Sequence, residues 1–240
     1  MRIDIDLTQG KIKRNVFFTS DFHCYHHNVL KFDNRPFEDI HEMHLAIEER
    51  WNEVVEPNDI VIYLGDLSFA RQGDKPYVED IMKRLNGTIH YVMGNHDKLE
   101  DIKKIGRFAS IQDYLEVRIR HNQPDPDFIG ALVRDETLFC CMHYPILEWN
   151  KKHRGSWLVH GHCHMNLFNN DSEWVSKMEA MGKLLPNDVL DEYNALVEKK
   201  HYYKGRVVDA GCMGWDYRPL SYEDILKMGD DRKFGLSDHH

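Results

Sequence analysis

The chain has 240 residues, of which 42% are hydrophobic and 11% aromatic, with only 15 Gly and 8 Pro. One domain of this size hides roughly 70% of the surface that its unfolded chain would expose, and the composition excludes disorder or low complexity as a description of the whole chain. Forty acidic residues against 31 basic ones give a net charge of −9, which disfavours generic electrostatic binding to DNA or RNA.

Cysteine content and hydropathy bear on the cellular compartment. The five cysteines are an odd number without C-x-x-C spacing, which argues against a disulfide framework and against a zinc knuckle. No apolar signal region is visible at the start of the sequence, and no stretch approaches the roughly 18 apolar residues of a membrane span. We therefore predict a cytoplasmic protein with no membrane partner. Its 16 histidines raise the question of metal binding.

Short apolar runs that end at polar, Gly-containing corners recur along the chain and are typical of buried strands. The predicted strands are 16–20, 60–65, 89–94, 138–143, 157–161 and 206–211, with a further alternating strand, YLEVRIR, after residue 113. Amphipathic patterns predict helices over 40–55 and 76–86. This order indicates an α/β fold whose second half contains a mixed or antiparallel sheet.

Residues 168–205 interrupt this rhythm with two amphipathic segments separated at Pro186. The pattern predicts a helical hairpin inserted between two core strands of a single domain that spans residues 1–240. Such a hairpin can pack on the core, cover a neighbouring site as a lid or form a dimer contact, and the sequence leaves these three open.

The ends of the predicted strands carry polar side chains. In chain order they are Asp21-Phe22-His23, Gly65-Asp66, Gly94-Asn95-His96-Asp97, His143 and Gly161-His162-Cys163-His164. Each motif alone is also explained by an ordinary turn or a surface histidine. Because loops converge at the carboxyl edge of an α/β sheet, the occurrence of all five after apolar runs predicts one shared site.

These motifs offer imidazole nitrogens, carboxylate oxygens and an amide oxygen. The candidate ligands are Asp21, His23, Asp66, Asn95, His143, His162 and His164. This mixed set suits Mn²⁺, Zn²⁺, Fe or Ni²⁺ better than Ca²⁺ or an iron–sulfur cluster. Seven ligands are too many for one tetrahedral ion, so we predict two divalent transition metal ions that share a carboxylate, with Mn²⁺ preferred.

The motifs SDFH, YLGDLS, VMGNHD, MHYP and HGHCH together resemble those of the calcineurin-like metallophosphoesterase superfamily, from residue 16 to residue 164. The resemblance implies a four-layer αββα sandwich of two mixed sheets. It also implies three roles for the candidate ligands. The first ion is assigned to Asp21, His23 and His164, the second to Asn95, His143 and His162, and the bridge between them to Asp66.

Phosphoester hydrolysis requires neutralised charge on the phosphoryl oxygens and a nucleophile in line with the leaving group. Two ions supply both, because a water that bridges them loses its proton near neutral pH and can attack as hydroxide. The leaving oxygen then needs a proton from a charged histidine that is not a ligand. The resemblance assigns this role to His96, and assigns to Asp97 the carboxylate that orients it.

The segment CYHHNVLKFDNRPF and the YRP at 217–219 resemble small bacterial and phage phosphoesterases. Within that segment we consider His26, Asn28 and Arg35 as substrate contacts, the alternative being surface polar residues that cap a helix. The predicted activity is hydrolysis of a phosphodiester or phosphomonoester, with a nucleotide or cyclic nucleotide as substrate. Two alternatives remain: a nuclease that uses the basic residues within 151–154, and a noncatalytic scaffold that binds a protein.

Overall fold

The structure is a computed structural model that describes residues 1–8, 14–124, 132–165 and 206–230. The predicted helical hairpin over 168–205 lies outside the described residues. In chain order, the described elements are β1 (Arg2–Asp6), β2 (Val16–Thr19), α1 (Val29–Phe32), α2 (Ile40–Val54), β3 (Ile60–Tyr63), α3 (Lys75–Arg84), β4 (Thr88–Val92), α4 (Leu99–Ile105), β5 (Phe108–Gln112), β6 (Tyr114–Pro124), β7 (Leu132–Met142), β8 (Trp157–His160), β9 (Val207–Asp209), β10 (Leu220–Ser221) and α5 (Tyr222–Asp230).

The strands form two five-stranded mixed sheets. The first sheet has the order β1-β6-β7-β8-β9, in which only the β6–β7 pair is antiparallel. The second has the order β10-β2-β3-β4-β5, and only its edge pair β10–β2 is antiparallel. Strands β2, β3 and β4 therefore end at one edge of the second sheet, and β7 and β8 end together in the first.

The alternation of side chains along β2 shows how the layers pack. Phe18 points between the two sheets, where it meets Phe139 at a ring-centroid distance of 5.1 Å. Its neighbour Phe17 points the other way, into the core beneath the helices that contains Ile47 and Trp51 of α2. Strands covered on both faces read as continuous apolar runs, which is why these segments were recognisable in the sequence.

Helix α2 buries one stripe of residues at helical spacing, namely Ile40, Met43, Ile47 and Trp51. The helix begins after Asp39, whose side chain accepts hydrogen bonds from the backbone N–H groups of residues 41 and 42. This carboxylate satisfies donors that have no partner inside the helix and so fixes where the helix starts.

The expected fold class is confirmed, because two mixed sheets carry flanking helices. The predicted strands all occur, with ends that shift by a few residues, and the helices predicted over 40–55 and 76–86 correspond to α2 and α3. Strand β1, whose alternating RIDID pairs in parallel with β6, and the short elements β5 and β10 were not predicted from the sequence. Among the described helices, none combines the length and hydropathy that a membrane crossing requires.

Phe18 and Phe32 provide a matched test of the inter-sheet core. Phe18 is fully buried between the sheets, whereas Phe32 at the end of α1 is 71% exposed. We expect Phe18→Ala to lower the free energy of unfolding by about 3–5 kcal/mol because it leaves a cavity. We expect Phe32→Ala to change it by less than about 0.5 kcal/mol. Urea denaturation of metal-free protein measures both, and equal losses would contradict this packing.

Candidate metal centre

The candidate site lies where the two sheets meet, at the carboxyl ends of parallel strands. The loops that leave β2, β3 and β4 in the second sheet face the loops that leave β7 and β8 in the first. Backbone hydrogen bonds join neighbouring loops: the Asp21 N–H donates to the Gly65 carbonyl at 3.0 Å, and the Gly161 N–H donates to the His143 carbonyl at 3.0 Å. The five sequence motifs therefore converge on one edge of the sandwich.

The first group of candidate ligands contains Asp21, His23 and His164, whose ligand atoms lie within 4.8 Å of one another. The Nε2 atoms of His23 and His164 face each other at 3.0 Å. Asp21 Oδ1 lies 3.8 Å from His23 Nε2 and 3.6 Å from His164 Nε2. The loops after β2 and β8 thus bring together the three side chains assigned to the first ion.

The second group contains Asp66, His143 and His162, again within 4.8 Å. His143 Nε2 lies 3.4 Å from Asp66 Oδ2 and 2.9 Å from the amide oxygen of Asn95. The Nδ1 atom of His143 lies 2.7 Å from the Leu64 carbonyl oxygen, to which it donates in the tautomer that leaves Nε2 free. His162 is the exposed member of this group.

Asp66 stands between the two groups. Its Oδ2 atom lies 3.7 Å from His23 Nε2 in the first group and 3.4 Å from His143 Nε2 in the second. The other oxygen, Oδ1, accepts a hydrogen bond from the backbone N–H of His96 at 2.9 Å. A carboxylate in this position can contribute to both ions of a pair.

The spacing of these atoms fits divalent ions with nitrogen and oxygen ligands. An ion about 2.1 Å from each ligand places adjacent ligands about 3.0 Å apart at right angles and about 3.4 Å apart in a tetrahedron. The observed separations of 2.9, 3.0 and 3.4 Å are of this size. The same donor set, without a thiolate, suits a transition ion.

Many of the ligand positions adopt the left-handed backbone conformation, which L-residues with a side chain rarely occupy. The residues and their φ angles are Asp21 at 59°, His23 at 51°, Asp66 at 57°, His162 at 67° and His164 at 48°. Such conformations cost free energy and persist where the surrounding structure imposes them, and they cluster at functional sites. Their concentration in these loops marks the site independently of residue type.

Gly65 and Gly94 allow the loops after β3 and β4 to touch. Gly65 has a φ of 89°, and a Cβ atom there would lie 2.5 Å from the backbone nitrogen of Gly94. A Cβ on Gly94 would lie 2.5 Å from the backbone nitrogen of Asp66. The two glycines are therefore required by the close approach that brings Asp66 beside Asn95.

The two histidines of the first group differ in charge. Burial lowers the pKa of His23 to about 3, so its ring is neutral at pH 7. Burial opposes the charged form of His164 as well, but the nearby carboxylates of Asp21 and Asp33, the second hydrogen-bonded to Nδ1, outweigh it and raise the pKa of His164 to about 9. In the metal-free protein His164 is therefore protonated at pH 7.

His96, the predicted acid, lies beside the two groups without belonging to either. Its ring Nε2 is 3.9 Å from Asp66 Oδ2, and the side chain is 42% exposed. The ring packs against Phe69 with a centroid distance of 4.4 Å. This position leaves the imidazole open to a substrate while keeping it within reach of the centre.

Asp97, which is expected to orient His96, directs its carboxylate toward the neighbouring loops. Within the described chain its carboxylate accepts hydrogen bonds from the N–H groups of Gly94 at 2.7 Å, Asp66 at 3.0 Å and Leu67 at 3.2 Å, and from the Tyr91 hydroxyl at 2.8 Å. The turn from Gly94 to Asp97 folds the carboxylate inward under the loops. Asp97 therefore braces the loop that carries Asp66, while the rings of Phe69 and His23 lie against the His96 ring. Its role in orienting His96 stays a prediction.

The predicted substrate contacts separate into two kinds. His26 stacks on Phe69 at 4.3 Å, beside the candidate ligand His23, and Asn28 is exposed just before α1. Arg35, by contrast, is only 4% exposed and donates to the backbone carbonyls of the β2 loop. We therefore withdraw Arg35 as a substrate contact, because its guanidinium is used inside the protein.

Sequence reasoning also missed Asp33, which lies at 2.8 Å from His164 Nδ1 through both carboxylate oxygens. Nothing in the sequence distinguished it from other acidic residues, since it follows a helix and not a strand. A cavity of about 480 Å³ opens beside this pair. Its lining is Phe32, Asp33, Asn34, Pro36, His164, Met165, Met213, Gly214 and Tyr217.

Fold and site together define a class: two facing mixed sheets with two groups of metal-ligating side chains at one edge and a carboxylate between them. The model of the calcineurin-like phosphoesterase family matches residues 14–195. The chain therefore belongs to the calcineurin-like phosphoesterase family, as the motifs indicated, and is expected to use divalent metal ions.

Individual relatives are similar over most of their length. An uncharacterized protein of Methanocaldococcus jannaschii is 29% identical over 215 residues, which cover 90% of this chain and 91% of that protein. The Gene 66 protein of Mycobacterium phage D29 is 28% identical, over 74% of this chain and 94% of its own. A crystal structure of a protein of unknown function from Aquifex aeolicus is similar in fold, with a TM-score of 0.54, 21% identity, and coverage of 90% of this chain and 100% of that one.

The raised pKa of His164 predicts proton release when metal binds. Below pH 9 the ring carries a proton that an ion at Nε2 must displace, so affinity should rise about tenfold per pH unit between pH 7 and 9 for this one proton. Calorimetric titration with Mn²⁺ at pH 7.5, in buffers of different ionisation enthalpy, measures the number of protons released. We expect at least one, because, against the effect of burial, contacts with Asp66, Asp21 and the Leu64 carbonyl also raise the pKa of His143. Heats that do not depend on the buffer would contradict this charge state.

Proposed function

We propose that this protein is a dinuclear metal-dependent phosphoesterase that hydrolyses a nucleotide or cyclic nucleotide, either a phosphodiester or a phosphomonoester. The observation that carries the proposal is the position of Asp66 Oδ2, 3.7 Å from a histidine of one ligand group and 3.4 Å from a histidine of the other. Asp21, His23 and His164 would hold the first ion. Asn95, His143 and His162 would hold the second, with Asp66 shared.

When bound, the two ions supply neutralisation of the phosphoryl charge and an ionised water as nucleophile near neutral pH. The donor set favours Mn²⁺, Zn²⁺, Fe or Ni²⁺ over harder ions, and Mn²⁺ is our choice for the assay. The remaining requirement falls on the chain itself, which must place a proton on the leaving oxygen.

His96 is the side chain proposed to supply that proton. It is exposed, lies beside Asp66 and is outside both ligand groups, so its ring nitrogen stays available to a substrate. Phe69 packs against its ring. General-acid catalysis of this kind contributes about 10²–10⁴-fold to the rate, and most where the leaving group is a poor one.

The cavity beside His164 supports a substrate with a planar organic group. Its volume of about 480 Å³ is within the range of small-molecule sites, and Phe32, Met165 and Met213 add apolar surface to a lining that is mostly polar. Asn34 supplies an amide at the same rim. A nucleobase has both an apolar face and hydrogen-bonding edges, so this lining favours nucleotide-derived substrates.

The nuclease alternative depends on a basic patch within residues 151–154. There Lys152 pairs with Glu148 at 3.2 Å and lies over the ring of Trp149, so part of this charge is used locally. With a net charge of −9 for the chain, we favour a small substrate over a long nucleic acid.

The five cysteines are free thiols, which fits a reducing cytoplasmic setting.

Two substitutions test the proposal. Asp66→Asn removes the shared charge and should abolish retention of two ions and all hydrolysis. His96→Ala should retain both ions but lower kcat by about 10²–10⁴-fold on substrates with poor leaving groups, and much less on p-nitrophenyl esters. The measurements are metal content by elemental analysis and rates with bis-p-nitrophenyl phosphate, p-nitrophenyl phosphate and a panel of nucleotides and cyclic nucleotides, with and without Mn²⁺.

The alternative of a noncatalytic scaffold gives a different result. If wild-type protein loaded with Mn²⁺ hydrolyses none of these phosphoesters, the proposed activity is wrong and the scaffold is favoured. Equal loss of rate by His96→Ala on good and poor leaving groups would remove His96 as the acid while leaving the metal centre intact.

A further inference from the structure

A chain of polar contacts extends from the first ligand group into the protein. The Asp33 carboxylate accepts a hydrogen bond from Nδ1–H of His164, with 2.8 Å to each carboxylate oxygen. The Nε2 atom of the same ring lies 3.0 Å from His23 Nε2. The side chains of Asp33 and His164 are 8% and 19% exposed. One nitrogen of the ring is thus directed to the carboxylate, and the other is left for the ion.

Arg35 holds the Asp33 carboxylate that contacts His164. Its Nε and Nη2 donate to Asp33 Oδ2 at 3.0 and 2.9 Å. Its Nη2 also donates to the carbonyl of Asp21 at 2.9 Å, and its Nη1 donates to the carbonyl of Phe22 at 2.8 Å. The guanidinium therefore connects the backbone of one metal ligand to the carboxylate that holds another.

The partner behind His164 differs from the one behind His143. In the second group, the corresponding Nδ1 of His143 contacts the neutral carbonyl of Leu64. A carboxylate partner makes the imidazole a better electron-pair donor than a neutral partner does, and it fixes the tautomer and ring orientation. Removing such partners typically weakens metal binding by about 10–100-fold.

We propose that Asp33 and Arg35 are positioning residues for the first metal site. Asp33 orients His164 and makes its imidazole a stronger electron-pair donor to the metal. Arg35 fixes the position of Asp33 relative to the backbone of Asp21. The inference rests on the metal centre of the proposed function but not on the reaction that this centre carries out. A purely structural role, in which the two residues only tie α1 to the β2 loop, predicts lower stability with unchanged metal affinity.

The test is the affinity of the purified, metal-free full chain for Mn²⁺ and Zn²⁺, measured by competition with a chromogenic chelator. Asp33→Asn keeps the shape of the side chain but removes its charge. It should lower the affinity for one of the two ions by about 10–100-fold, while the affinity for the other changes by less than about twofold. Asp216→Asn is the matched control. It makes the same chemical change in a side chain that is 66% exposed and paired with Arg50, and it should leave both affinities unchanged.

A second variant covers the outcome in which Asp33→Asn does not fold. Arg35→Lys keeps the charge but loses the planar guanidinium that donates to Asp33 and two carbonyls at once. It should therefore lower the affinity for the same ion by about 3–10-fold. Thermal unfolding of each metal-free variant identifies those that are folded. Wild-type affinity for both ions in folded Asp33→Asn or folded Arg35→Lys would overturn the inference.

These outcomes are separable from those of the proposed function, because affinity is measured without substrate. Selective weakening of one ion, in a protein that hydrolyses no phosphoester, would support the positioning pair and refute the activity. Metal-dependent hydrolysis by the wild type, together with unchanged affinity in both variants, would support the activity and refute the positioning role of Asp33 and Arg35.

Discussion

The burial of two carboxylates at the junction of the sheets is the constraint on which the rest of the site depends. Asp21 is fully buried and Asp66 is 1% exposed, and both lie less than 4 Å from His23 Nε2. Withdrawing a carboxylate from water costs several kcal/mol unless hydrogen bonds or opposite charge offset it. The protein must therefore supply donors to both groups, and a cation placed between them removes the repulsion that remains.

The donors that stabilise these carboxylates also join the loops. Asp21 accepts from the backbone N–H of His162 at 3.0 Å, which connects the loop after β2 in one sheet to the loop after β8 in the other. Asp66 accepts from the N–H of His96 and so connects the loops after β3 and β4. Each buried charge is thus compensated by the backbone of a loop that carries another functional side chain.

The sequence could reveal the strands, the order of the motifs and the residues that gather at the sheet edge, because apolar runs and strand ends are local features. It could not reveal where a side chain turns once the loops are folded. Asp97 follows His96 directly, yet its carboxylate reaches back to Gly94 and Asp66 because of the turn between them. Arginine is a common phosphate contact, but Arg35 is buried beneath the β2 loop and hydrogen-bonds to the backbone there. Contacts of this kind depend on packing between distant segments.

The orientation of the candidate ligand histidines also depends on contacts that the sequence does not reveal. His143 and His164 both direct Nδ1 away from the centre, one to the Leu64 carbonyl and the other to Asp33, so both present Nε2 inward. The two partners are chemically unequal, and one of them is a backbone atom that any residue at position 64 would provide. A motif therefore identifies which residues can bind metal, whereas the acceptors behind them, which set tautomer and donor strength, are determined only by the folded chain.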